Sequence, residues 1–203
     1  MNKGRFPFSY KKATQALNFL AQQAGGRLDK LKALKLIFFA DRYHLRKYGR
    51  LVTNDAYWAM DYGPVPSGTK DLAEMTSFLG KQECEYVEKF LTPARDEDFF
   101  KSIADVDEGV FSSSDLEALK FAWDNFGNKS AIALFKLTHL YPEWKRHEKA
   151  FQRKEVSRVP ISYEDFLEEA EKGLEPCFEL TRQDKEDRRE ALKQSLAFES
   201  KWN

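Results

Sequence analysis

Apolar positions recur along this chain in more than one period, and the first is helical. Tyr10, Ala13, Leu17, Leu20, Ala21 and Ala24 share one face of an amphipathic helix, which Gly25 and Gly26 terminate. After Leu28, Asp29 is placed to N-cap a second helix with Leu31, Leu34, Ile37, Phe38 and Leu45 as its buried stripe. Leu36, Phe39 and Ala40 widen the stripe until the middle of this helix is apolar nearly all round, as expected of an element at the centre of its domain. Gly49, which accepts the left-handed conformation, is placed to end it.

The period then shortens. Leu51 to Tyr62, with its Thr-Asn-Asp turn signal and the aromatic run Tyr57, Trp58, Ala59, Met60, reads as a short extended unit or hairpin. Gly63, Pro64 and Pro66 end that unit, and Gly-Pro-Val-Pro reads as a stiff elbow before a helix containing Lys70 to Leu79. From Gly80 to Ser112 the pattern is weak, and CEYVEKFL and DFFKSIADV fit strands or short helices equally well.

Helical order returns at Ser114. With Glu117 it makes a capping box ahead of Leu116, Leu119, Phe121, Ala122, Trp123 and Phe126, and Gly127 closes the helix. Asn128 caps a shorter helix over Ser130 to Leu140, with Ala131, Leu134, Phe135 and Leu137 inward, and Pro142 stops it. Beyond Phe151 the chain changes character. Ser162 reads as an N-cap, and the terminal TRQDKEDRREALKQSLAFESKWN as a charged helix of the kind that frays or docks on partners. The expected fold is mainly α within the α+β class: a helical domain over residues 1–150 with a central apolar helix and a small β-hairpin or short sheet, then a charged helical extension over 151–203.

Composition narrows the function. The 203 residues contain 42% hydrophobic side chains, enough for a core, and 33 basic residues balance 33 acidic ones, so no global cationic excess drives nucleic-acid binding. The charge is nevertheless uneven: Arg27 to Arg50 holds eight basic and two acidic residues (+6), Asp71 to Glu117 four basic and thirteen acidic (−9). Such polarity orients charged partners. Lys30, Lys32, Lys35, Arg42, Arg46, Lys47 and Arg50 are read as the outer face of a core helix, and no nucleic-acid module accompanies them. The longest apolar run, LIFFA, is far short of a membrane span, and MNKGRFPFSYKK lacks the apolar centre of a signal peptide; the expected location is the cytoplasm.

Catalytic and metal chemistry find little support. His139 and His147 are eight residues apart across Pro142, and neither Cys84 nor Cys177 lies near a histidine or forms a CxxC pair. Phosphate-binding glycine motifs and a GxSxG elbow are absent, and Asp96, Asp98, Asp105 and Asp107 read as solvated charge. His139, within LTHLYPEW, reads as a half-buried histidine bonded to the following turn. No metal, cofactor or catalytic residue is expected.

Taken together, KLKALKLIFFADRYHLRKYGR, LVTNDAYWAMDYGPVPSGTKDL and SSSDLEALKFAWDNFGNKSAIALFKLTHLYPEWK resemble the Panacea domain of SocA-like antitoxins over roughly Leu28 to His147. The shared pattern is an apolar helix ending in Tyr-Gly, a Tyr-Gly-Pro-Val elbow, and a late helix pair ending in a histidine followed by a tryptophan, His139 and Trp144 here. The resemblance implies an antitoxin that neutralises a cognate protein toxin by direct binding. A SocA-like relative acts instead as an adaptor delivering its toxin to the ClpXP protease, and a nucleic-acid-binding or divergent enzymatic role is a further alternative. Residues expected at the contact are Tyr62, Gly63, Pro64, Val65 and Pro66, with Asp41, His44 and Trp58 packed nearby. The competing role for the same residues is structural: Gly63 and the prolines shape a turn while Trp58 and Tyr62 fill the core.

Overall fold

The computed structural model describes residues 7–171, 174 and 179–202. Helix α1 (Tyr10–Gln23) and strand β1 (Arg27–Asp29) lead into α2 (Lys30–Tyr48), the element around which the others assemble. Asp29 accepts a hydrogen bond from Lys32 N at 2.8 Å, and Gly49 ends the helix in the left-handed region at φ 80°, so both ends of α2 lie where the sequence places them. Every residue from Ala33 to Arg42 is buried. Phe38 meets Tyr57, Tyr141 and Phe166 within 6.1 Å, and Phe39 stacks on Phe126 at 3.8 Å.

Two small antiparallel sheets flank the helices. Strands β2 (Tyr57–Met60) and β3 (Gly63–Pro66) form a hairpin, followed by α3 (Ser67–Glu74) and α4 (Lys81–Val87). Strands β4 (Leu91–Pro93) and β5 (Phe99–Ser102) add to β1 in the order β1-β5-β4, burying Leu28 opposite Phe100. The stretch from Gly80 to Ser112 is therefore one short α-helix, two strands and a 3-10 turn at Glu108–Val110. Helices α5 (Ser113–Phe126) and α6 (Ala131–Thr138) pack on α2, and the short α7 (Pro142–Lys145) and α8 (Glu148–Gln152) follow. Strand β6 (Arg158–Pro160) completes the second sheet in the order β3-β2-β6.

The tail reaches the core. Phe166, in the 3-10 turn Tyr163–Leu167 that Ser162 caps, is fully buried 5.0 Å from the Tyr57 ring. The terminal helix α9 (Arg182–Trp202) packs against its own domain: Leu192 is buried, Arg189 pairs with Glu168, and Arg188 donates to the Lys47 carbonyl at the C-terminus of α2.

Several local expectations change. Gly-Pro-Val-Pro is itself the second strand of the hairpin, because the extended conformations that its prolines impose suit a sheet edge, where a missing N–H is tolerated. The capping box of α5 is Ser112 with Asp115, two residues upstream of Ser114 and Glu117, and α6 is capped by Ser130, not Asn128. Lys35, Arg42 and Arg46 do not lie on an outer face: all three are buried, Lys35 under the hairpin and Arg42 and Arg46 under α7 and the tail. Cys84 is a half-buried free thiol, and Cys177 lies outside the described residues.

Candidate functional site

The hairpin turns on two residues, Asp61 and Tyr62, between Met60 and Gly63. Gly63 is required there twice over. Its φ is +91°, and a Cβ would lie 2.7 Å from Thr138 Oγ1 and 3.2 Å from Lys35 Nζ. Beneath it Lys35 donates to the Pro64 carbonyl at 2.8 Å, and Trp144 Nε1 donates to the Met60 carbonyl at 2.7 Å. His139 stacks on Trp144, and Phe135 bridges His139 to Tyr62 with centroids 4.5 and 5.7 Å away. The hairpin thus rests on a column of rings supplied by α6 and α7.

Of the residues singled out in the sequence, Tyr62, Gly63, Pro64, Val65, Pro66, His139 and Trp144 come together around this turn. Trp58, on the same hairpin, is half buried under the Arg158 guanidinium, 4.8 Å from its ring. Tyr62 does not fill the core, because a two-residue turn directs it outward; it is 65% exposed, and Tyr57 occupies the interior instead. His139 bonds the Asp61 backbone rather than the turn that follows it, and burial, then the Lys35 charge, lowers its pKa to about 4.

Asp41 and His44 sit farther along α2 and fix the approach to the hairpin. Asp41 Oδ1 accepts from Val52 N (2.7 Å) and Thr53 N (3.1 Å), and Oδ2 from Thr53 Oγ1 (2.6 Å) and Tyr57 OH (2.9 Å). Burial outweighs these donors and raises its pKa to about 6. His44 Nδ1 donates to the Arg50 carbonyl at 2.7 Å, leaving Nε2 to accept from Ser114 Oγ at 3.0 Å. Burial holds His44 neutral, and its bonds join α2, the loop after it and α5. Among the described residues, no group of three or more His, Cys, Asp or Glu side chains is placed to hold a metal ion.

Other residues of the site carry no sequence motif. Asp55 accepts from Gly68 N (2.8 Å), Thr69 N (2.6 Å) and Thr69 Oγ1 (2.7 Å), capping α3 from a distance. Arg42 pairs with Glu143 and donates to the carbonyls of Phe166 and Glu168, and Arg46 reaches the same carbonyls and Glu169. Lys35 is fully buried with no ion pair among the described residues, and burial pushes its pKa down to about 7.

Beside the turn lies a groove of about 660 Å³ between α2, the hairpin, α3 and α6. Leu31, Leu34, Met60, Tyr62, Val65 and Ile132 give it an apolar lining; Lys30, Lys70 and the acids Asp29, Glu74, Glu97 and Asp98 form its rim. Ile132 is 64% exposed, so its side chain is available at the groove. No helix among the described residues is long and apolar enough to cross a membrane, so this apolar surface is not part of a helical span. What the arrangement offers chemically is a rigid apolar recess with a charged edge, suited to recognition.

Compared with known proteins, the chain matches the family described as antitoxin SocA-like, Panacea domain, over residues 34–145. That range holds α2 from Leu34 onward, the hairpin, α6 and Trp144. No curated protein matches the chain, and no solved structure does.

Proposed function

Because the chain belongs to the SocA-like antitoxin family with a Panacea domain, we propose that it is the antitoxin of a toxin–antitoxin pair, neutralising a cognate protein toxin in the cytoplasm by direct contact. Beyond the family, the reading is carried by one observation: Tyr62 and Ile132, both exposed, line an apolar groove at the hairpin turn. Exposed aromatic and branched side chains beside a preformed recess are what protein partners use as anchors. The hairpin prolines, Gly63 and the His139–Trp144 stack keep that recess in shape before the toxin arrives, which lowers the entropy cost of binding.

Co-expression tests the proposal. A cell producing the cognate toxin regains growth when this chain is present, and the two proteins co-purify as a complex. Rescue that persists in cells lacking ClpXP supports neutralisation by binding alone, whereas rescue that requires ClpXP replaces it with adaptor action. Folded His44→Ala, His139→Ala and Asp41→Ala variants that still rescue would remove a catalytic reading. Absence of a complex with every toxin whose effect the chain suppresses would sink direct contact.

A further inference from the structure

We infer that the groove beside the hairpin turn receives a short segment of the partner in which apolar side chains adjoin a lysine or arginine. The identity of the partner rests on the antitoxin reading above; the chemistry of the segment rests on the groove. Its volume of about 660 Å³ is within the range of pockets that enclose a few side chains, not a whole domain face. Its lining is apolar, so entering side chains must be apolar to gain from burial.

The rim fixes the charge. Lys70 pairs with Glu74, and Asp29 is engaged by Lys32 N as the cap of α2. The Lys30 ammonium donates to the backbone carbonyl of Glu97, leaving that carboxylate alone. Glu97 and Asp98 are exposed on the rim and, among the described residues, neither carboxylate has an ion pair; with Lys30 and Lys70 set against Asp29, Glu74, Glu97 and Asp98, the rim keeps a net charge of −2. A cation next to the apolar anchors answers that charge; a phosphate backbone would be repelled. Strand addition is a poor alternative, since Pro64 and Pro66 leave β3 without two of its N–H donors.

Selection of random linear peptides displayed against the full chain tests the inference, with the enriched peptides synthesised and titrated by fluorescence anisotropy. Enriched sequences are expected to join apolar residues to Lys or Arg. Ile132→Asp is expected to weaken them about tenfold or more, as loss of an interface anchor does. Ile132 is exposed in the first turn of α6, where an acidic residue is tolerated, so this variant is expected to keep the wild-type circular dichroism spectrum and melting temperature. Ile103→Asp, which removes a similarly exposed isoleucine elsewhere, should bind as wild type does. The double variant Glu97→Lys, Asp98→Lys should lose the preference for cationic peptides.

Enrichment of acidic peptides, no enrichment, or affinity indifferent to Ile132→Asp overturns the inference. So does a wild-type dimer that Ile132→Asp converts to monomer, since the groove then holds a second copy. The two readings separate cleanly in growth assays. Undiminished rescue by both groove variants removes the groove and leaves the antitoxin, whereas peptide binding that depends on Ile132 without any rescue by wild type removes the antitoxin and leaves the groove.

Discussion

The imidazole of His139 lies flat on the indole of Trp144, with ring centroids 3.6 Å apart and planes 9° from parallel. This contact links the end of α6 to α7, and the indole N–H continues it to the Met60 carbonyl at the end of β2. Neutral imidazole suits the stack, because the charged form would be desolvated beside the Lys35 ammonium. Trp144→Phe keeps a ring but leaves the Met60 carbonyl without its donor. It should cost ~1–3 kcal/mol of unfolding free energy, read from urea denaturation. Because the lost bond is at the turn, peptide or toxin binding should fall along with stability.

Asp41 gives a prediction with a pH signature. Four donors converge on its carboxylate, so Asp41→Asn turns one acceptor into a donor facing Val52 N and Thr53 N, or Thr53 Oγ1 and Tyr57 OH. The expected loss is ~2–4 kcal/mol, since a buried network is left half satisfied. The sign of the pH dependence follows from the raised pKa. Wild-type Asp41 takes up its proton near 6 when folded but near 3.8 when unfolded, so its contribution to stability increases as pH falls through that window. The asparagine variant lacks this gain. The stability gap between the two proteins should widen from pH 7 to pH 4, measured by urea unfolding at each pH.

How much of this was readable in the amino-acid order depends on how far each side chain reaches. Both ends of α2 were legible because Asp29 and Gly49 act on their own helix, within a turn. Lys35, Arg42 and Arg46 were misplaced because their partners are remote: Pro64 is 29 residues from Lys35, and Glu143 and Phe166 are 101 and 124 from Arg42. No local pattern announces a buried cation whose acceptor arrives from the tail. The same holds for Asp55, whose helix cap lies 13 and 14 residues away. For α5, two overlapping serine-acid patterns competed, and Asp115 took the cap because Glu117 is drawn off by Tyr43, Lys47 and Tyr48. Ile132 had a usable signal: two positions before buried Leu134, it lies roughly 200° around the helix and so must face away from the core.

Burial of Lys35 predicts alkaline behaviour opposite in direction to that of Asp41. Its folded pKa is near 7 and its ordinary value 10.5, so between those limits the unfolded chain binds the extra proton. Stability attributable to Lys35 therefore rises with pH across this window, by up to ~1.4 kcal/mol per pH unit, and is lost as pH falls through 7. Lys35→Met keeps the bulk of the stem and removes the titration. The variant should lack the wild-type rise between pH 7 and 9.5 in urea unfolding; a rise equal to that of wild type would show that Lys35 is not its source.

Arg42 and Arg46 make the tail conditional on α2. Both guanidinium groups hold the carbonyls of Phe166 and Glu168, and Arg42 also neutralises buried Glu143. Arg42→Ala leaves a buried carboxylate without its cation and should cost ~3–5 kcal/mol, more than the net worth of the pair itself. Because the lost donors hold residues 166–168, the segment after α8 should become the first site of proteolytic cleavage, with fragments identified by mass spectrometry. Replacing both partners, Arg42→Met with Glu143→Leu, removes the stranded charge and should recover much of the stability while the tail stays more cleavable than in wild type. If the double replacement is as unstable as Arg42→Ala, the burial of Glu143 is not what makes that substitution costly. In that case the carbonyl contacts to Phe166 and Glu168 carry the effect, and Arg46→Ala should reproduce it.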